Sequence, residues 1–523
     1  MKENKKQKPS DEVKTARAGI VRAVISAVAL SVCSLLACSA AWYINLYGNV
    51  GFDSVIYSLI AGTRGINKEI LVRYLLTALL PAVAITAACM LLLYAKPKKP
   101  LTLKLKGERR VQLYPFKRTV ALALALLISL GLFVFAIAKV ELAKELILAV
   151  QPTTIYETEY VDPSTVNIKF PEKKQNLIFI FLESVETSFA SKEQGGGREE
   201  SLIPELYDIA ADKSNISFSH TEGFGGALPL TGGTWTIGAM VSQTAGLPLH
   251  VPLNVDKNEY GKEAFLPGVT TMSDILHENG YTQAIMVGSD SNYGGRRQFY
   301  EQHGTDKIFD LESAKKKGVV EEDYFVWWGM DDKYLFEYAK EEITNMASAE
   351  EPFAFTLLTV DTHAWGGWVC EDCKDDFEIG YDNVYACSSK KVAEFVEWIK
   401  AQPFFEDTTV ILCGDHLTMD RDYIDKTVDE SYDRRVYNCF INSRKTPVKE
   451  KMRDFSTLDM FPTILSAIGC DIENDRLGLG TDLFSDKETL CEKLGYSEFD
   501  EELTKRSLYY EHNFYLPRSQ IKK

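Results

Sequence analysis

The sequence predicts an α/β domain, a mainly parallel sheet sandwiched by helices, preceded by a bundle of three transmembrane helices. Two patterns predict the sheet. Short, strongly apolar runs recur at Leu177–Leu182, Gln283–Val287, Phe353–Val360, Thr409–Cys413 and Val436–Ile441. Between them lie helix-like stretches such as Lys391–Lys400 and Leu458–Ile468. Near-continuous apolar strands alternating with helices are what a parallel sheet covered on both faces requires. A third pattern predicts the bundle: residues 23–44, 74–94 and 119–138 carry no charge. Each run is about 20 residues, the helical length that crosses about 30 Å of hydrocarbon.

Charge divides the chain in the same way. The 523 residues carry a net charge of −16, but residues 1–118 hold +13 and residues 119–523 hold −29. The 46% hydrophobic and 25% charged content excludes wholesale disorder and a collagen-like fibre. The acidic balance argues against nucleic acid as a partner. Lys and Arg crowd the tail before the first span and the connection after the second, while residues 45–73 are poorer in them. The basic segments are therefore expected in the cytoplasm. Three spans then place everything after Ala138 on the outer side of a cell membrane. A signal peptide is the alternative for the first run, but that run exceeds a usual apolar region and a second span follows. The expected organisation is a membrane domain over 1–150, a linker over 151–172 with Pro152, Pro163 and Pro171, and an extracytoplasmic catalytic domain over 173–523.

In parallel sheets ligands bind beyond the carboxyl ends of the strands. Those positions hold Glu183, then Asp290, then Asp361, Thr362 and His363, then Asp415 and His416. Any one of them is compatible with a helix N-cap. Several on one sheet edge point to a metal or phosphate site. Glu183, Asp415 and His416 offer oxygen and nitrogen donors, a set suited to one divalent metal ion: Mn²⁺, Zn²⁺ or Mg²⁺. The expected fourth ligand is a hydroxyl that the metal activates. The segment Thr231-Gly-Gly-Thr-Trp-Thr-Ile-Gly-Ala-Met is its candidate source, with Thr234 and Thr236 near a helix start where backbone N–H groups favour phosphate. A simple Thr N-cap is the alternative.

NLIFIFLES, GGTWTIGAMVSQTAGLPL, FTLLTVDTH, CGDHLTMD and LGLGTDLF resemble, in order, the motifs of phosphoglycerol transferases of the alkaline phosphatase/sulfatase superfamily. The resemblance spans about residues 173–485. It is nearest to the enzymes that decorate osmoregulated periplasmic glucans, with lipoteichoic acid synthases more distant. It implies an alkaline-phosphatase-like core and one metal, commonly manganese, on Glu183, Asp415, His416 and the nucleophile. The nucleophile falls on Thr236, ten residues before Gly246-Leu-Pro, with Thr234 as second choice. His363 matches a residue that meets the substrate phosphate or leaving group. Arg296 matches a basic substrate-binding position, with Arg297 as the neighbouring register. Asp290 is either a further substrate contact or a turn residue. The implied reaction moves glycerol phosphate from phosphatidylglycerol, in the bilayer, to a glycan or glycolipid acceptor through a glycerophospho-threonine. The same superfamily offers a lipoteichoic-acid polymerase, a phosphoethanolamine transferase or a phosphodiesterase; a silent membrane sensor or scaffold would need none of the intact site residues. Three spans are fewer than the five typical of lipoteichoic acid synthases, and the chain ends soon after LGLGTDLF, without the long extension of some glucan-modifying members. The Cys/Ser-x-Pro-x-Arg pattern of sulfatases is missing at Thr236-Ile-Gly-Ala-Met.

Of ten cysteines, Cys33, Cys38 and Cys89 lie in apolar runs and read as packing residues. The resemblance implies a Cys373–Cys387 pair. Cys370-Glu-Asp-Cys373 also has the spacing of half a zinc site, without a second matching pair. Cys413 reads as a buried free thiol. His220, His250, His277, His303 and His512 are expected in surface or core roles. Trp327-Trp-Gly-Met-Asp-Asp is a candidate pocket wall, or plain packing.

Overall fold

The computed structural model describes residues 11–47, 68–104, 110–140, 147–148, 150–250 and 264–515. They form two compact units, the first ending in the segment around Val140 and the second built from the residues beyond it. The first unit contains α1 (Asp11–Tyr47), α2 (Leu80–Tyr94) and α3 (Arg118–Lys139). Stretches within Arg17–Leu46, Leu71–Tyr94 and Arg118–Lys139 are long and apolar enough to cross a membrane. Helix α1 starts well before the apolar run. Small side chains line the interfaces, with Ala37, Ala40 and Ala136 in one buried group and Ala121 and Ala125 in another. Small residues let apolar helices approach closely where no hydrophobic drive exists between them. Pro81 cannot donate to the turn before it, and a π-helical turn at Leu75–Leu79 absorbs the mismatch.

The second unit is built on a six-stranded sheet: β1 (Asn176–Leu182), β2 (Thr282–Val287), β3 (Lys307–Phe309), β4 (Phe353–Leu358), β5 (Thr408–Gly414) and β6 (Asn438–Ile441). Their spatial order is β3-β2-β4-β1-β5-β6, parallel throughout except for the antiparallel edge strand β6. Alternate residues of β1 enter different cores: Leu177, Phe179 and Phe181 one, and Ile178, Ile180 and Leu182 the other. The first core is closed by α4 (Thr236–Ala245), and the second by α5 (Asp332–Ala347) and α6 (Gly380–Lys400). Helix α7 (Met460–Ala467) joins the first core. Strand β3 escapes sequence patterning because three residues cannot establish a period. Gly246, at φ 61°, ends α4 in the left-handed conformation that favours glycine.

Residues 151–172 depart from a free linker. Ile155 and Tyr156 are buried, the Tyr156 ring meets Tyr510 and Phe514, and Ile168–Lys169 pairs antiparallel with Asp471–Ile472. The prolines here shape turns, as at Pro163 after the Asp162 cap, and the apolar residues between them find partners on the C-terminal helices.

One buried ion pair ties together the loops beyond β1, β5 and the approach to β6. The Glu186 carboxylate, fully buried, accepts from Arg434 through Nε at 2.8 Å and Nη2 at 2.5 Å, and from the Thr418 backbone N–H at 2.9 Å. Arg434 also donates to the Thr418 carbonyl at 3.2 Å. Removing one partner leaves the other charge buried and alone, so Arg434→Met is expected to cost about 3–5 kcal/mol. Denaturant unfolding of the detergent-solubilised chain measures it.

Candidate active site

Strands β1 and β5 are in parallel register with Leu182 beside Gly414, so Glu183 and Asp415 leave the sheet side by side. Gly414 is required there: a Cβ would lie 2.1 Å from the Val185 carbonyl oxygen. His416 follows, and the three side chains converge in a fully enclosed spot. His416 Nε2 lies 3.5 Å from a Glu183 oxygen and 3.4 Å from Asp415 Oδ2. The His416 Nδ1–H donates to the Leu417 carbonyl at 2.9 Å, which turns the Nε2 lone pair inward. Asp415 Oδ2 and His416 Nε2 are buried without a hydrogen-bond partner. Three acceptors facing one another with no donor between them fit a bound cation. Ring nitrogen and carboxylate oxygen are donors for Mn²⁺, Zn²⁺ or Mg²⁺.

Electrostatics reflect the crowding. Burial, then the Glu183 charge, pushes the Asp415 carboxyl above the usual range. Burial acts on Glu183 in the same direction, but the imidazoles of His363 and His416 and the Ser184 hydroxyl outweigh it and hold that carboxyl low. His416 is raised, its two carboxylate neighbours overcoming the effect of burial.

Neighbouring groups take up the remaining lone pairs. Ser184 donates its hydroxyl to Glu183 at 2.8 Å and its N–H to Asp415 Oδ1 at 2.8 Å, with its own φ at 54°. A non-glycine residue in that region stores about 1–3 kcal/mol, a pattern typical of functional turns. Thr359 accepts the Glu183 N–H at 2.9 Å, and Gln243 of α4 donates to the Gly414 carbonyl at 3.1 Å. Thr236 is the first residue of α4, and its Oγ1 lies 3.5 Å from Glu183 Oε2. The Thr234 hydroxyl is buried without a hydrogen-bond partner, and no bond links it to the cluster.

The Sulfatase family profile matches residues 175–470. The chain belongs to the sulfatase family. Its sequence is similar to those of phosphoglycerol transferases. Phosphoglycerol transferase I of Xanthomonas campestris pv. campestris (strain B100) is 28% identical over 344 residues, covering 63% of this chain and 46% of its own. Phosphoglycerol transferase I of Shigella flexneri is 30% identical over 331 residues, covering 61% of this chain and 40% of its own. The chain thus spans less than half the length of these curated relatives. The crystal structure of the lipoteichoic acid synthase LtaP from Listeria monocytogenes aligns with a TM-score of 0.46 at 20% identity, over 61% of this chain and 79% of that one.

Around this sulfatase-family cluster the other candidate residues separate. The His363 Nδ1–H donates to the Ala364 carbonyl at 2.6 Å, leaving Nε2 with a lone pair, and the ring lies 4.4 Å from that of Trp328. Burial lowers the His363 pKa, with His416 and Arg296 adding to it against the Glu183 charge. Asp332, absent from the sequence-based candidates, holds the turn that carries His363: its carboxylate accepts the Val360 N–H at 2.7 Å and the Asp361 N–H at 3.2 Å. Its place in WWGMDD is the available signal, a segment that the sequence offers as a pocket wall or as plain packing. Arg296 is buried and donates to the Ser289 hydroxyl at 2.9 Å and the Asp290 carbonyl at 2.8 Å. Arg297 is committed elsewhere, to Glu301 at 2.9 Å and Asp310 at 3.2 Å. Asp290 is exposed and accepts from the Asn292 backbone and side chain, closing a local turn.

The cysteine expectation is corrected. Cys373 and Cys387 are not bridged; both are free thiols, and Cys370 is close to each.

Asp415→Asn removes a buried repulsive charge and a metal donor together. Because the folded-state pKa of Asp415 is raised, the metal-free protein loses stability as pH rises through the range above an ordinary carboxyl, about pH 4 to about pH 8. The variant is expected to lack that slope and to be at least as stable as the parent without metal. It also forfeits the gain of about 2.7 kcal/mol that a metal at about 100 times its Kd provides. Thermal unfolding with Mn²⁺ and with chelator across that pH range reads both effects.

Proposed function

We propose that this chain is a membrane-anchored, metal-dependent phosphoglycerol transferase that moves glycerol phosphate from phosphatidylglycerol to a hydroxyl of a glycan or glycolipid. The observation that carries the reading is the Thr236 hydroxyl, at the N-terminal end of α4, facing the Glu183–Asp415–His416 acceptor cluster. Similarity to phosphoglycerol transferases supports glycerol phosphate as the group moved, and the apolar helices support a lipid donor. The basic segments flanking those helices support an extracytoplasmic catalytic unit.

Glu183, Asp415, His416 and Thr236 would hold one divalent ion, Mn²⁺ in our reading, which supplies Lewis acidity: a lower hydroxyl pKa and neutralised phosphoryl charge. Thr236 Oγ1 attacks phosphorus and the bond to diacylglycerol breaks, leaving glycerophospho-threonine. His363 accepts the Thr236 hydroxyl proton at Nε2 and passes it to the leaving diacylglycerol oxygen; in the second half it takes the proton of the acceptor hydroxyl and passes it to the Thr236 oxygen as that oxygen leaves phosphorus. Backbone N–H groups at the start of α4 face the phosphate oxygens. Arg296 would hold phosphate oxygens by charge-assisted hydrogen bonds.

Incubation with phosphatidylglycerol and Mn²⁺, followed by peptide mass spectrometry, should find glycerophosphate on Thr236. Thr236→Val should abolish the adduct and lower diacylglycerol release by about 10³-fold or more, while Thr234→Val retains the adduct. His363→Ala should slow release by about 10²–10⁴-fold. An adduct on Thr234, or none with diacylglycerol never released, overturns the mechanism. Glycerol phosphate appearing only in water when glycans are supplied would make the enzyme a phosphodiesterase.

A further inference from the structure

Outside the site described above, three thiols converge where the loop after β4 meets α6. Cys370 Sγ is 3.5 Å from Cys373 Sγ and 3.7 Å from Cys387 Sγ, and all three sulfurs lie within 4.8 Å of one another. Cys370 and Cys373 face each other across a tight turn in which the Cys373 N–H donates to the Cys370 carbonyl at 3.2 Å. Cys387 comes from α6, and Lys391, one turn further along that helix, places Nζ 3.1 Å from Cys370 Sγ. The same ammonium lies 3.2 Å from Asp361 Oδ2.

We propose that Cys370, Cys373 and Cys387 form a thiolate site for a zinc-type divalent cation, separate from the catalytic cluster, that fastens the loop carrying His363 to α6. Spacing separates this from a disulfide. Bonded sulfurs lie at about 2.05 Å. A tetrahedral zinc with Zn–S near 2.3 Å sets its sulfurs about 3.8 Å apart, which the two short separations approach. Charge agrees as well. Three thiolates on a dication leave one net negative charge, and the nearly buried Lys391 ammonium, which Asp361 shares, lies beside it. Three sulfurs are also the wrong number for disulfides alone, since one pair leaves the third thiol over.

The site spans the segment that positions His363. Cys370 and Cys373 lie a few residues beyond His363, in a loop whose Trp368 N–H donates to the Asp361 carbonyl at 2.7 Å. Asp361 in turn is held by Lys391 and by the Asp332 N–H at 3.1 Å. A cation drawing the turn onto α6 would limit the freedom of this loop without touching substrate.

The test uses the full chain in detergent, purified anaerobically with Zn²⁺ and dialysed against a weak chelator. A His416→Ala background removes the catalytic metal, so that any retained zinc reports on the thiols. One zinc per chain is expected by elemental analysis, released by a mercurial thiol reagent and absent from the further variants Cys370→Ser and Cys387→Ser. Replacement by Co²⁺ in the same background, with all cysteines present, should give sulfur-to-cobalt charge-transfer absorption, so the result does not depend on the serine variants folding. Limited proteolysis within residues 364–379 should quicken when zinc is stripped. A peptide containing a Cys370–Cys373, Cys370–Cys387 or Cys373–Cys387 disulfide overturns the proposal. So does full alkylation of all three thiols with no zinc retained and no cobalt spectrum.

Discussion

The parallel pairing of Leu182 with Gly414 is the constraint on which the site depends. It sends the next residue of each strand, Glu183 and Asp415, out of the same sheet edge into the same enclosed space. A slip of one residue would return one carboxylate to a core face, because side chains alternate along a strand. The pairing in turn requires Gly414, since the Val185 carbonyl occupies the place of a side chain there. Two buried carboxylates and an inward imidazole lone pair are then unavoidable, and such a cluster is unfavourable unless a cation joins it.

The surrounding groups restrict that outcome further. The hydrogen bonds made by Ser184, and the N–H of His416 to Asp415 Oδ1 at 2.7 Å, use the outward lone pairs and leave the inward ones. His416 is fixed as the Nδ1–H tautomer by a carbonyl, which can only accept. His363 is fixed in the same way, and its neighbour Trp328 limits rotation of the ring. The Glu186–Arg434 pair lies three residues beyond Glu183 and bonds to the backbone of Thr418, two residues beyond His416. A charge pair outside the reacting cluster thus fixes both loops that deliver the ligands.

Much of this was legible in the sequence because the apolar period of strands is strong and ligands follow strand ends. Glu183, Asp415, His416 and His363 stood out in that way. Asp332 did not, because its role is defined by the backbone of Val360 and Asp361, and an Asp near a helix start looks like an ordinary cap. Thr359 and Ser184 are equally silent, since a small hydroxyl gains meaning only when its partner across the sheet is known. Arg296 and Arg297 are adjacent on one helix, and the resemblance ranks Arg296 first by register alone; the ion pairs of Arg297 with Glu301 and Asp310 commit that side chain elsewhere. Residues 151–172 read as a linker for the same reason, since the aromatic partners of Tyr156 lie near the far end of the chain.

Net charge proved the least informative quantity about substrate. Residues 119–523 carry −29, yet the proposed donor is anionic. Exposed charges act over a Debye length of about 8 Å at physiological ionic strength, so most of that acidic surface is screened from a phosphate at the buried cluster. The charges that matter are local, and in the protein alone they are wrong for the task. Glu183 and Asp415 would face an incoming phosphoryl group with two carboxyl groups, set against the His416 imidazole, the α4 backbone dipoles and the Arg296 guanidinium. A dication on the cluster would reverse the local sign. A cation held by Glu183, Asp415 and His416 would thus serve phosphate binding as well as the stability of the cluster.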